Sequence, residues 1–132
     1  MMTVTSNAAD VATILVVEDE PLLRLAAVDL VETAGYTAIA AADATEAVNI
    51  LEARADIRIV FTDIDMPRGV DGLQLAAIVR DRWPPIKVIL VSGHLADPGH
   101  MIAADTAFFT KPYCEEQIVE TIRQDAAVAE NF

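Results

Sequence analysis

Four short apolar runs, Ile14–Val17, Ile57–Phe61, Val88–Val91 and Ala107–Phe109, constrain the fold of this chain more than any other feature. They are mostly β-branched or aromatic, and nearly continuous rather than alternating with polar residues; only Arg58 interrupts one of them. Strands covered on both faces, as in a parallel sheet, carry that pattern. Thr37–Ala41 is a weaker fifth strand candidate. Between the runs, apolar residues recur at helical spacing: Leu23, Ala27, Leu30, Val31 and Ala34; then Val48, Leu51 and Ala55; then Leu75, Ile78 and Val79; and last Ile118, Ile122 and Ala126. The punctuation agrees. Pro21 opens the first helix and Gly35 follows it. Asp43 with Glu46 reads as an N-cap with a returning glutamate. Asp71 reads as the N-cap of the third helix, which Pro84 and Pro85 stop. Strands alternating with helices predict right-handed crossovers and an α/β, doubly wound parallel sheet.

The 132 residues suit one domain, and 54% of them are apolar, enough for a core. We expect that domain over 13–127, with disordered tails at 1–12 and 128–132. Nine basic residues stand against 21 acidic ones, for a net charge of −12. That balance argues against direct nucleic-acid binding and against an anionic membrane surface. It suits a chain that handles cations or meets a basic partner. The lone cysteine, Cys114, has no internal partner. Neither a secretory leader nor an apolar run of membrane-spanning length is visible, so the expected location is the cytoplasm.

Ligands of open α/β sheets bind beyond the carboxyl ends of the strands. Glu18, Asp19 and Glu20 follow the first strand, Asp63 and Asp65 the third, Ser92, Gly93 and His94 the fourth, and Lys111 and Pro112 the fifth. Each group alone is ordinary: a carboxylate after a strand is often a helix cap, and Ser-Gly is a common turn. Together they gather carboxylates, a hydroxyl and an ammonium on one edge. Such carboxylates repel one another unless a divalent cation or a lysine neutralises them, and oxygen ligands of this kind suit Mg2+. A carboxylate so held can attack phosphorus and carry an acyl phosphate.

The runs ending in Glu18-Asp19-Glu20, Asp63-Ile64-Asp65-Met66-Pro67, Ser92-Gly93-His94 and Lys111-Pro112 resemble the receiver domains of two-component response regulators, in the same order and over roughly residues 13–127. The resemblance implies a flavodoxin-like, five-stranded sheet in order 2-1-3-4-5 with five helices. It implies that Asp63 accepts a phosphoryl group from a histidine kinase or phosphotransfer protein. Mg2+ would be held by Asp19 and Asp63, by Glu18 through a water, and by the carbonyl of Asp65. Ser92 and Lys111 would bond phosphoryl oxygens. Ser92 and the strand-five aromatic, Phe108, would form the switch, and Asp65 and His94 would tune its rate, with the Asp65 charge slowing phosphorylation. Output would pass to an unidentified protein or through a homodimer, and the chain would be a self-dephosphorylating switch and not a turnover enzyme.

Two departures from the family pattern stand out. The loop Pro67–Gly72 is slightly long. The 19 positions from Ser92 to Lys111 are a few fewer than usual, which predicts a shortened or poorly ordered fourth helix near 98–104. Two other readings remain open: a binding module that keeps the fold without phosphorylation, and a phosphatase of the haloacid-dehalogenase type, which shares the aspartyl-phosphate chemistry but leaves Glu18 and Asp19 without a role.

Overall fold

The computed structural model of the chain describes residues 11–67, 69–94, 99, 103 and 106–130. It contains β1 (Thr13–Val17), α1 (Pro21–Thr33), β2 (Thr37–Ala41), α2 (Ala44–Ala53), β3 (Ile57–Asp63), α3 (Gly72–Arg82), β4 (Lys87–Ser92), β5 (Ala107–Thr110) and α4 (Glu115–Glu130). The five strands form one sheet in the order β2-β1-β3-β4-β5, and every pairing is parallel. The anticipated flavodoxin-like arrangement is therefore what the chain adopts, with four helices among the described residues. Most of the shortened helix expected near 98–104 lies outside the described residues, as do residues 1–10 and 131–132 of the tails expected at 1–12 and 128–132; the last helix runs on to Glu130, past the boundary expected at 127.

Strand residues alternate between two cores, because successive side chains leave a strand on opposite faces. Leu15, Val17, Val60 and Leu90 face one way, onto Ala47 and Leu51 of α2 and Leu75 and Val79 of α3. Ile14, Val16, Phe61, Ile89 and Val91 face the other way, onto Ala27 and Val31 of α1 and Ile118 and Ile122 of α4. The interior strand β1 is buried along its whole length. The edge strand β2 is not, which explains its weaker signal in the sequence.

Helix ends follow the punctuation, with two refinements. Asp71 and Gln74 form a reciprocal capping box on α3, at 2.9 and 3.0 Å. On α2, Asp43 accepts from the Glu46 amide at 2.8 Å, but Glu46 reaches back to the Ala42 amide, one residue before the cap. On α1 the cap is Glu20, whose carboxylate accepts from Leu22 and Leu23. After α1 the chain reverses through Gly35 at φ 101°, a left-handed conformation that glycine adopts without a Cβ clash.

At the opposite edge from the strand-end acids, the Arg54 guanidinium donates to both oxygens of Asp56, and Thr13 of β1 donates to Oδ2 at 3.2 Å. The Arg54 bonds hold the Asp56 carboxyl down to about 2, below its usual 3.8. A depressed carboxyl stabilises the fold above its unfolded value and loses that contribution as pH falls through its folded value. Asp56→Asn should therefore reduce stability relative to the parent near neutral pH. In paired urea titrations the difference should shrink as pH drops from 3.8 towards about 2. A loss of the same size at both ends of that range would trace the effect to the Thr13 contact instead of the charge.

Candidate functional site at the carboxyl edge of the sheet

The strand order reverses direction between β1 and β3, so their carboxyl ends open a crevice where both chains turn away into helices. Glu18 and Asp19 leave β1 into that crevice and Asp63 closes β3 beside them. One carboxylate oxygen from each lies within 4.8 Å of the others. Glu18 and Asp63 are buried and Asp19 is exposed.

Lys111, just past β5, bridges the two buried acids: its Nζ lies 2.8 Å from Asp63 Oδ2 and 3.1 Å from Glu18 Oε1. Burial alone would push the ammonium's pKa down, but its bonds to Asp63 and Glu18 outweigh that and raise it above 10.5, so it stays charged. Burial pushes the Glu18 carboxyl up from its ordinary value, and the charge of Asp63 adds to this; the Glu20 amide, donating to Glu18 Oε2 at 3.1 Å, pulls the other way. The second oxygen of Asp63, Oδ1, accepts the amide of Asp65 at 3.0 Å. Lysine on one oxygen and a backbone amide on the other thus fix the Asp63 carboxylate.

Ser92, at the end of β4, is fully buried. Its hydroxyl donates to Asp65 Oδ2 at 2.8 Å, and the same oxygen accepts the Gly93 amide at 2.9 Å. His94 is highly exposed and lays Nδ1 3.4 Å from that oxygen. Burial of Asp65 works against its ionisation, but the bonds from Ser92, Gly93 and His94 prevail and hold its carboxyl below the usual value. The Asp65 side chain therefore belongs to the Ser92 loop, outside the carboxylate cluster of Glu18, Asp19 and Asp63. Phe108 is half-buried on the face of Leu90, its partner in register.

Residues 14–123 match the response regulator receiver domain. The chain belongs to that family. Over 117 residues this receiver is 36% identical to the sensor kinase CckA of Brucella abortus, a match covering 86% of the chain and 12% of the kinase. It spans only 24% of the length of each of the next three curated relatives. Its fold superposes on a response regulator receiver protein from Sinorhizobium medicae with a TM-score of 0.84 and 27% identity, covering 92% of this chain and 98% of that one. The response regulator TrrA of Thermotoga maritima, solved in complex with Mg2+–BeF, is similar at TM-score 0.78 and 25% identity, covering 86% of this receiver and 98% of that chain.

Three supporting residues escaped the sequence reading. Arg24, on the first turns of α1, donates to the carbonyl of Glu18 at 3.0 Å and reaches that of Asp19 at 3.5 Å, clamping the acidic loop from below. Glu20, given no role of its own in the sequence, serves as the cap of α1. Gly72 packs its α-carbon on the backbone of Asp63 and Ile64: a Cβ there would overlap the Asp63 carbonyl oxygen and stand 2.7 Å from Ile64 Cα. The one available signal was a glycine at the first position of a helix that already had a good cap in Asp71. In Gly72→Ala, backbone on both sides of the contact must move, so we expect a loss of about 1–3 kcal/mol in urea unfolding. The amide resonances of Asp63 and Ile64 should shift with it. Unchanged stability and spectra would mean that this turn yields freely.

Proposed function

We propose that this receiver takes a phosphoryl group onto Asp63 from the phosphohistidine of a histidine kinase or phosphotransfer protein, and signals by the change that follows. The observation that carries the reading is the Lys111–Asp63 contact at 2.8 Å on a buried acid that has Glu18 and Asp19 beside it. An Asp63 oxygen attacks phosphorus, the phosphorus–nitrogen bond of the donor breaks, and the imidazole nitrogen leaves with the electron pair and takes a proton. Lys111 and the Asp65 amide orient the carboxylate before attack, and Lys111 then pairs with charge gathering on the phosphoryl oxygens. Ser92 supplies a hydroxyl to another of those oxygens, and Phe108, in register with the strand that carries Ser92, follows it as the second part of the switch.

The donor set fits Mg2+. Three carboxylates offer hard oxygen atoms within one cluster, and the single ammonium of Lys111 leaves net negative charge there. Glu18, Asp19 and Asp63 would hold the ion, with the Asp65 carbonyl as a further ligand. When bound, Mg2+ neutralises the equatorial oxygens of the transferring group. The likeness to TrrA, solved with Mg2+–BeF, supports this choice. The intact Asp63–Lys111 pair favours phosphorylation over a phosphorylation-independent binding module.

The phosphodonor's docking face is best sought on α1. Leu22, Leu23 and Leu25 are exposed there. Leu23 also lines a cleft of about 420 Å3 that reaches Glu18, Asp63 and Lys111. Among the described residues no helix is long and apolar enough to cross a membrane. A cytoplasmic setting suits a receiver charged by a histidine kinase, and output through a partner protein or a homodimer completes the reading.

Incubation with acetyl phosphate and Mg2+ should add the mass of one phosphoryl group to the wild-type chain, with none added to Asp63→Asn or in chelator. A wild-type chain that gains no mass, and that beryllofluoride leaves unperturbed, would transfer the case to the binding module. Mass is the readout of choice, because Trp83 lies past α3 in the groove lined by Ile57 and Ile86, at the amino end of β3. Arg24→Ala should leave Asp63 competent while raising the Mg2+ concentration for half-maximal adduct on the order of tenfold, as loss of groups that orient metal ligands commonly does. An unchanged Mg2+ midpoint would show that the Glu18–Asp19 loop keeps its shape without the clamp.

A further inference from the structure

The sequence reading gave Asp65 the role of a charge beside the incoming phosphoryl group. The geometry adds contacts that the sequence did not show. Its backbone amide bonds the acceptor, Asp63 Oδ1, at 3.0 Å. Its carboxylate bonds the Ser92 hydroxyl at 2.8 Å and the Gly93 amide at 2.9 Å. A serine hydroxyl has one proton to donate, and here it is directed at Asp65. The hydroxyl's own oxygen meanwhile accepts the amide of His94 at 3.1 Å, which ties the following loop residue to the same atom.

We infer that Asp65 is a positioning residue that competes with the bound phosphoryl group for the Ser92 hydroxyl proton and so holds the uncharged switch in place. This rests on the phosphoryl-acceptor reading of Asp63 and Ser92. For Ser92 to bond a phosphoryl oxygen, its proton must leave Asp65, and the charge-assisted bond it gives up is among the stronger kinds of hydrogen bond in proteins. Gly93 need not follow, since its amide can remain on Asp65 Oδ2, so the hydroxyl is the part that turns. Ser92 is fully buried, which leaves little water to replace the bond during the exchange. The latch therefore opposes the charged state by roughly the worth of one hydrogen bond to an ion, a factor on the order of tenfold in the stability of that state.

A through-space charge and a latch predict different double-mutant behaviour. Beryllofluoride with saturating Mg2+ serves as the probe, and its affinity is measured for wild type, Asp65→Ala, Ser92→Ala and the double variant. Alanine at 65 keeps the backbone amide that bonds Asp63 and the carbonyl offered to the metal. With a latch, Asp65→Ala tightens beryllofluoride binding roughly tenfold when Ser92 is present and leaves it unchanged in the Ser92→Ala background. The same tightening in both backgrounds overturns the latch and returns Asp65 to a through-space charge. Weaker binding in Asp65→Ala overturns it too, and would make the carboxylate a support for the bound state. Failure of the wild-type chain to bind beryllofluoride would overturn the phosphoryl-acceptor reading itself, and the latch with it. Asp65→Asn, which keeps a neutral acceptor, should fall between wild type and Asp65→Ala.

Discussion

Two carboxylates, those of Glu18 and Asp63, are nearly stripped of water at the end of the central strands, and one ammonium lies between them. Leaving either acid charged and unpaired in such a place would cost more than the fold can absorb. The arrangement is tolerable because Lys111 is delivered there by β5, two strands away from β3 in the sheet order. The contact therefore exists only when β3, β4 and β5 are paired in register. Asp63 lies opposite Val91, Ser92 lies opposite Thr110, and the Lys111 amide closes onto the Ser92 carbonyl at 2.8 Å. The chemistry of the site and the completion of the sheet are one constraint, met at the edge strand β5.

That constraint explains what the sequence disclosed. The strands buried on both faces announce themselves as apolar runs, broken only by Arg58, and the residue after the run must then lie at the sheet edge. Reading Glu18, Asp19, Asp63, Ser92 and Lys111 as neighbours required only that the strands be parallel. β2 was faint because its exposed positions are filled by threonine and alanine and not by large apolar residues. What stayed hidden were contacts decided by the path of loops. Arg24 meets two carbonyls six and five positions earlier because α1 begins directly against the β1 end. Gly72 meets the Asp63 carbonyl because α3 starts against the end of β3. Neither follows from periodicity, and neither carbonyl partner is visible as a side chain.

Glu20 and Asp65 show a second limit. Both are acids beside acids, and spacing alone does not say what their oxygens accept. The structure separates them by what their oxygens accept. Glu20 turns to the free amides of α1, where a helix begins with unpaired donors and a positive end. Asp65 turns to the β4 loop, where the Ser92 hydroxyl and the Gly93 amide converge on a single oxygen. In a chain with net charge −12, placing acids against backbone donors relieves their mutual repulsion without using scarce cations.

The same economy shapes how a signal can leave the site. Ser92 is the last residue of β4, which carries Leu90 in the core that includes α2 and α3 and Val91 in the core that includes α1 and α4. A rotation of the Ser92 hydroxyl needs no movement of that strand, so its first consequence falls on what its oxygen also holds, the amide of His94. On the proposed reading Phe108 would be the neighbour to respond, because it pairs with Leu90 and is only half-buried, with room to repack that fully buried residues lack. On the proposed reading, a rigid sheet with a movable hydroxyl at its rim would confine the change to the β4–β5 edge, and would leave the acidic loop and α1 free to keep the geometry that receives the phosphodonor.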